Sequence, residues 1–160
     1  MRYAGIIYDD TAAAPGLSLS LYTQGCPLHC EGCHNQDMWD FDGGYEYTEE
    51  VQNRIIKSLN ENGVLRNLCI LGGEPLLEQN IEALHTLCAA ARETYPDIKI
   101  YIWTGYTMDE ITDRVNSNFF LHSLIFELTD TLITGRYEQD KRDITLKLCG
   151  SWNQEVWRLS

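Results

Sequence analysis

The sequence predicts an α/β fold in which short strands alternate with helices around a mainly parallel sheet. Apolar segments of strand length alternate with segments of helical periodicity over most of the chain. Three candidate functional loops each follow a predicted strand, as expected for such a sheet. The 160 residues contain no repeat, low-complexity tract or Pro/Gly/Ser-rich linker, so we expect a single domain over residues 1–160.

The first half of the chain supplies two predicted strands and one helix. Leu17–Thr23 alternates apolar and polar residues and predicts a strand. The following segment, Gly25–Gly44, is rich in Gly, Cys, Asn and Asp, which is typical of a long functional loop. A helix is expected to begin at the N-cap Thr48 and to stop at Gly63. Asn67–Leu71 then predicts a short buried strand.

The second half repeats the alternation. Apolar residues at helical spacing predict helices at Leu77–Thr94, Met108–Val115 and Phe119–Leu128. Strand-like segments occur at Ile98–Trp103, Thr131–Thr134, Ile144–Leu148 and Glu155–Leu159. Because ligands collect at the carboxyl ends of parallel strands, we expect the three candidate loops to share one edge of the sheet. These loops are Gly25–Asn35, Gly72–Pro75 and Thr104–Tyr106.

Composition narrows the class of partner. The chain carries 24 acidic and 12 basic residues, a net charge of −12, and its longest cationic cluster is Lys141-Arg142. Phosphate backbones and anionic lipids repel such a surface, so we expect no nucleic-acid or membrane partner. The N-terminal segment has no basic start followed by a long apolar run, and no run approaches about 18 apolar residues. We therefore expect a cytoplasmic protein with reduced cysteines.

Three of the six cysteines form a compact motif. Cys26, Cys30 and Cys33 have the spacing C-x3-C-x2-C in a loop with glycine and proline. Thiolates are the usual ligands of iron–sulfur clusters, and a cubane cluster has four irons. Three protein ligands would leave one iron open to a substrate or cofactor, unlike the four-ligand cluster of an electron carrier.

Two other uses of these cysteines stay open. A zinc site would add His29 or His34 as a fourth ligand, and a redox dithiol would use Cys30 and Cys33 alone. The remaining cysteines fall within apolar segments, where buried packing is the usual role. These are Cys69, Cys88 and Cys149, of which Cys149 is a possible fourth cluster ligand.

These residues resemble a known family. The cysteine motif followed by Gly72-Gly73-Glu74-Pro75 resembles the cluster and methionine-binding motifs of the radical S-adenosylmethionine (radical SAM) superfamily. Further segments resemble the activating proteins of anaerobic ribonucleoside-triphosphate reductase, a family of glycyl-radical activating enzymes. They are Gln24–Pro27, Glu31–Asn35, Trp39, Trp103–Tyr106, Asp130–Tyr137 and Gly150–Gln154. The resemblance implies a small, incomplete radical SAM type (β/α) barrel.

The resemblance also implies a reaction. A 4Fe-4S cluster binds S-adenosylmethionine at its open iron, and one electron cleaves the sulfonium bond to give methionine and a 5′-deoxyadenosyl radical. That radical removes a hydrogen atom from a glycine on the large subunit of the reductase. The electron comes from a flavodoxin-like or other low-potential donor. Another small radical SAM enzyme, such as a 7-deazaguanine precursor synthase, and a non-enzymatic zinc-binding module are the alternatives.

Residue roles follow from the same resemblance. Cys26, Cys30 and Cys33 ligate the cluster. SAM binding falls to Gly32, Cys33, His34, Gly72, Gly73, Glu74 and Pro75. Gly32–His34 contact the adenine side, the two motif glycines allow close approach of the methionine part, and Glu74 lies in the motif that receives the ammonium group. His34 stands where the family often has Tyr or Phe. No catalytic residue beyond the cluster ligands is expected.

Two alternative roles are open for several polar and aromatic residues. Thr104, Gly105 and Tyr106 line the ribose side of SAM or form a structural turn. Asp130 contacts SAM or the partner, or else serves a purely structural role. Trp39, Trp152 and Trp157 anchor a partner or pack in the core, because tryptophan is enriched at both kinds of position.

Overall fold

The computed structural model describes all of residues 1–160, which form one seven-stranded sheet flanked by helices. The strands are β1 (Arg2–Asp10), β2 (Ser18–Thr23), β3 (Tyr45–Glu46), β4 (Asn67–Gly72), β5 (Ile100–Trp103), β6 (Thr131–Thr134) and β7 (Glu155–Arg158). The helices are α1 (Glu49–Ser58), α2 (Glu78–Thr94), α3 (Met108–Val115) and α4 (Phe119–Ser123). Short 3₁₀ turns occupy Gln36–Met38, Glu61–Gly63 and Gln139–Lys141, and a π turn, Leu124–Leu128, extends α4.

The strand order across the sheet is β3-β1-β2-β4-β5-β6-β7. The four central strands, β2, β4, β5 and β6, pair in parallel, whereas β1, β3 and β7 pair antiparallel to their neighbours. The expected parallel sheet is therefore confirmed for the core only. The sheet is open, and the expected barrel is not seen, because β3 and β7 form two separate edges. The parallel strands are joined by crossover connections that contain helices, whereas the antiparallel strands at the flanks are joined to the sheet through loops.

The element predictions hold for the central strands and the helices and differ at three places. β1 and β3 were not expected, and both lie on the antiparallel flank beyond the first predicted strand. The strand expected at Ile144–Leu148 is wrong, since this segment forms turns. The carboxylate of Asp143 accepts hydrogen bonds from the N–H and hydroxyl of Thr145, at 2.9 and 2.6 Å. This local side-chain bonding competes with strand pairing.

Local capping and apolar spacing explain the helices. Thr48 caps α1 by accepting from the Val51 N–H, and Thr107 with Glu110 forms a capping box at α3. A core of 22 buried residues lies between the sheet and the helices, and Cys88 of α2 belongs to it. Cys69 on β4 is also fully buried, so both cysteines pack as predicted. None of the helices has the length and apolar character that crossing a membrane requires.

Asp130 has a structural position. It is buried just before β6, at the edge opposite the carboxyl ends of the parallel strands. Its carboxylate accepts from Arg92 at 2.7 Å, Lys99 at 2.8 Å, the Ile100 N–H at 2.8 Å and Ser160 at 2.9 Å. Burial alone would raise the pKa of Asp130, but these donors outweigh it and lower the pKa. Asp130 thus ties α2, β5 and the C-terminus together.

Replacing Asp130 by asparagine is expected to lower the free energy of unfolding by about 2 kcal/mol at neutral pH, because Arg92 and Lys99 lose their charged partner. The folded pKa lies below the ordinary 3.8, so this stabilisation is present above that pH and is lost as pH falls through the folded pKa. Urea unfolding of both proteins at pH 7 and at about pH 3 should show the difference shrinking. A difference independent of pH would contradict this account.

Candidate cluster site

One pocket at the carboxyl ends of the parallel strands brings the three candidate loops together, as expected. Its walls include Cys26, Cys30 and Cys33 after β2, Gly72–Glu74 at the end of β4, and Thr104–Gly105 after β5. A fourth wall, after β6, comes from Gly135 and Tyr137. The pocket therefore collects one loop from each of the four parallel strands.

The cysteine loop is held at its start by main-chain bonds to the chain that follows it. The Gly25 and Cys26 N–H groups donate to the carbonyls of Met38 and Trp39, at 2.8 and 3.2 Å. The ring of His29 stacks on Trp39 with centroids 4.4 Å apart. Gly25 and His29 both have positive φ, 97° and 47°. The loop thereby turns tightly enough to direct several cysteines toward one cavity.

The three thiols are unpaired and meet main-chain donors. Cys26 is buried, whereas Cys30 and Cys33 are partly exposed. The Asn35 N–H donates to the sulfur of Cys33 at 3.3 Å, and the Tyr137 N–H faces the sulfur of Cys30. Burial raises the pKa of Cys26 and Cys30, so binding a metal cluster, which requires thiolates, would release protons.

The donor set fits a cluster held by three thiolates. No three His, Cys, Asp or Glu side chains converge on a single point as ligands of one ion do. A cubane cluster does not require such convergence, because each thiolate binds a different iron. Cys149 does not line the pocket, and its sulfur lies 3.9 Å from the carbonyl of Gln154. A fourth ligand from Cys149 is therefore not supported by this arrangement.

The two glycines of the Gly-Gly-Glu-Pro loop allow direct contact with the cysteine loop. Gly73 and Glu74 donate main-chain hydrogen bonds to the carbonyls of Thr23 and Gly25, both at 2.8 Å. A Cβ on Gly72 would lie 2.6 Å from the Thr23 nitrogen, and φ at Gly72 is +109°. A Cβ on Gly73 would lie 2.4 Å from the Gly25 carbonyl oxygen. Glycine is thus required at position 72 for packing against the end of β2 and at position 73 for packing on the cysteine loop, whatever the ligand.

Glu74 joins the second loop to the third. Its buried carboxylate accepts from the Leu76 N–H at 2.8 Å, the Thr104 hydroxyl at 2.7 Å and the Gly105 N–H at 2.8 Å. Burial raises the pKa of Glu74, while these donors act in the opposite direction. These three bonds hold the Glu74 carboxylate within the protein, where it positions the second loop against the third at the pocket wall.

The other predicted SAM-binding residues do not line the pocket. Gly32 and His34 are exposed, and Pro75 is buried outside the lining. The His34 ring lies 6.1 Å from the ring of Tyr137. Sequence reasoning gave no role to Asn35, which lines the pocket and donates to the Gly72 carbonyl at 3.1 Å. Its place two residues after Cys33 was the one available signal.

The fourth wall is held by side chains from the segment before β7. The Gln154 amide donates to the Gly135 carbonyl at 3.0 Å, and the Asn153 amide donates to the Arg136 carbonyl at 2.8 Å. These bonds hold Tyr137 against the cysteine loop. The end of the segment Asp130–Tyr137 therefore meets the segment Gly150–Gln154 here.

Comparison with known proteins agrees with this geometry. A family model described as a 4Fe-4S single cluster domain matches residues 12–157. A protein of Vibrio cholerae is 32% identical over 100% of this chain and 99% of its own length, and one of Escherichia coli K12 is 31% identical over 99% of both. A protein of Enterobacteria phage T4 is 30% identical over 98% of this chain and 94% of its own. All three are named anaerobic ribonucleoside-triphosphate reductase-activating protein.

The chain belongs to this family. The resemblance of the motifs to reductase-activating proteins is thereby confirmed over the full chain. As a member that also matches the single-cluster domain, it has the 4Fe-4S cluster as its cofactor.

Proposed function

We propose that this chain is a radical SAM activase, which cleaves S-adenosylmethionine reductively and generates a glycyl radical on the large subunit of anaerobic ribonucleoside-triphosphate reductase. The observation that carries the proposal is the pocket in which three free thiols face the Gly-Gly-Glu-Pro loop. The names of the relatives and the single-cluster family support the same activity and the same two cofactors, a 4Fe-4S cluster and SAM.

Cys26, Cys30 and Cys33 would hold the cluster. When bound and reduced, the cluster supplies the single electron that cleaves SAM to methionine and a 5′-deoxyadenosyl radical. The main chain of Gly72 and Gly73 would receive the methionine part, since their side-chain-free surface lies on the pocket wall beside the cysteines. Leaving one iron without a protein ligand is what separates this site from an electron carrier.

The remaining contacts orient these groups and exclude water. Glu74 fixes the distance between the second and third loops through Thr104 and Gly105. The partly buried residues Trp39 and Tyr137 add aromatic surface to the pocket wall. A shielded cavity protects a reactive radical from side reactions until the target glycine arrives.

The same proposal covers the fold, the electron donor and the cellular location. The open sheet with four central parallel strands is compatible with an incomplete radical SAM barrel in a single domain of residues 1–160. A flavodoxin-like or other low-potential protein would deliver the electron. We place the reaction in the cytoplasm, where thiols stay reduced.

Anaerobic reconstitution with iron and sulfide tests the proposal. The protein should bind about four irons and, with dithionite and SAM, release 5′-deoxyadenosine. Addition of the reductase large subunit should produce a glycyl radical signal in electron paramagnetic resonance. Absence of 5′-deoxyadenosine would refute the activase. Deoxyadenosine without a protein radical would favour a small-molecule radical SAM enzyme, and one bound zinc without iron would favour a zinc module.

A further inference from the structure

A loop of residues 139–152 stands at the rim of the pocket, and we call it the rim loop. The chain leaves the pocket wall at Tyr137, just before this loop, and returns to the wall at Gln154, just after it. Trp103, a third pocket-lining residue, donates its indole N–H to the Leu148 carbonyl at 2.7 Å. The rim loop is therefore fixed to the site at three points.

Internal bonds order the rim loop. The Trp152 N–H donates to the Lys141 carbonyl at 3.0 Å, and Arg142 and Ser151 form an antiparallel bridge. The Lys141 ammonium lies 5.1 Å from the centroid of the Trp152 ring and 2.6 Å from the carboxylate of Glu138. These contacts hold the Trp152 ring in one place on the surface, so Trp152 would lose little side-chain entropy when a partner binds it.

The ordered rim loop exposes large apolar side chains. Trp152 is 64% exposed and Ile144 is 84% exposed. Tryptophan is enriched among residues that dominate protein–protein binding energy, and a fixed orientation favours that role. A comparable exposed aromatic residue, Phe119, is 71% exposed on α4 but packs beside His85, away from the pocket.

Charge distinguishes the same region. Residues 135–160 contain five Lys or Arg and four Asp or Glu, whereas residues 1–134 contain seven and twenty. The C-terminal segment therefore has a net charge of +1, although the chain as a whole is strongly acidic. Lys141 and Arg142 are the adjacent basic pair in the rim loop. Complementary charge speeds correct encounter and suppresses wrong orientations.

We propose that the rim loop is the docking surface for the large reductase subunit. Trp152 and Ile144 are its apolar anchors, and the basic pair Lys141-Arg142 would favour an acidic patch on the partner. This inference rests on the proposed function, because a partner whose glycine enters the pocket must cover the pocket rim. The rim loop is continuous with that entrance, whereas the aromatic residues of α4 are not.

Binding of the reconstituted variants to the intact large subunit tests the assignment. Trp152→Ala and Ile144→Asp should each raise the dissociation constant about tenfold or more, measured anaerobically by calorimetry in the presence of SAM. Phe119→Ala is the matched control and should bind like the wild type. With dithionite and no reductase, all three variants should release 5′-deoxyadenosine within about twofold of the wild-type rate, because neither anchor lines the pocket.

The outcomes separate this inference from the function on which it rests. Unchanged binding by Ile144→Asp and Trp152→Ala would overturn the docking surface. The docking surface would also be overturned if Phe119→Ala weakened binding as much as Trp152→Ala and Ile144→Asp do. Failure of the wild-type pair to form a glycyl radical would instead overturn the proposed function. Ile144→Asp keeps the test decisive if Trp152→Ala unfolds, since Ile144 lies almost wholly in solvent.

Discussion

Replacing Cys30 by serine is expected to reduce bound iron from about four to below one per chain and to abolish 5′-deoxyadenosine formation. Cys30 lies between the two other candidate ligands on the pocket wall, and its sulfur faces the Tyr137 N–H. A serine hydroxyl is a poor substitute for a thiolate at iron, so the cluster would lose one of only three protein ligands. The same result is expected for Cys26→Ser and Cys33→Ser.

Cys149→Ser provides the matched control for this series. Cys149 is also partly exposed, but it lies outside the pocket. Iron, acid-labile sulfide and visible absorbance after anaerobic reconstitution should match the wild type, and so should deoxyadenosine release. Retention of a full, active cluster by Cys30→Ser would show that the three-thiolate assignment is wrong.

Replacing Gly73 by alanine is expected to lower the rate of SAM cleavage by about 100-fold or more, since a shift of about 1 Å at a reacting centre has effects of this size. The new Cβ would lie 2.4 Å from the Gly25 carbonyl oxygen, and main-chain atoms cannot move aside as a flexible side chain does. The second loop would be pushed away from the cysteine loop. Thermal unfolding should show a loss of about 1–3 kcal/mol from the same overlap.

Gly5→Ala is the control for the added methyl group. Gly5 lies in β1, and a Cβ there meets no atom within 4 Å. Its stability and SAM cleavage should equal those of the wild type. Steady-state deoxyadenosine release and iron content are measured for both variants. If Gly73→Ala cleaves SAM at the wild-type rate, contact between the two loops does not position the site.

The strands at the flanks of the sheet were harder to predict from local sequence patterns than the central strands. The central strands and the long helices were predictable, because apolar periodicity and caps such as Thr48 act within a few residues. The two strands that were not expected, β1 and β3, join the sheet antiparallel through pairings that depend on the rest of the sheet. The segment at Ile144–Leu148 has strand-like composition, yet the side chain of Asp143 directs it into turns.

The candidate ligands were identifiable from spacing alone. Three cysteines within eight residues, followed by a Gly-Gly-Glu-Pro loop after the next predicted strand, favour a cluster over a zinc site or a dithiol and place it at one sheet edge. The function of Glu74 was not identifiable in this way. Its three donors come from its own loop and from the distant Thr104–Gly105 segment, so only the folded chain shows that the carboxylate is internal to the site.

By itself the sequence determined the type of metal chemistry, the family and the order of the central elements, because ligand type, spacing and periodicity are written in neighbouring residues. Tertiary structure alone decided that Tyr137 and Gln154 complete the pocket, that Gly73 is needed for contact with the cysteine loop, and that the rim loop stands beside the entrance. These features arise from packing between segments far apart in the chain, and no local pattern encodes which distant backbone will lie within a few ångströms.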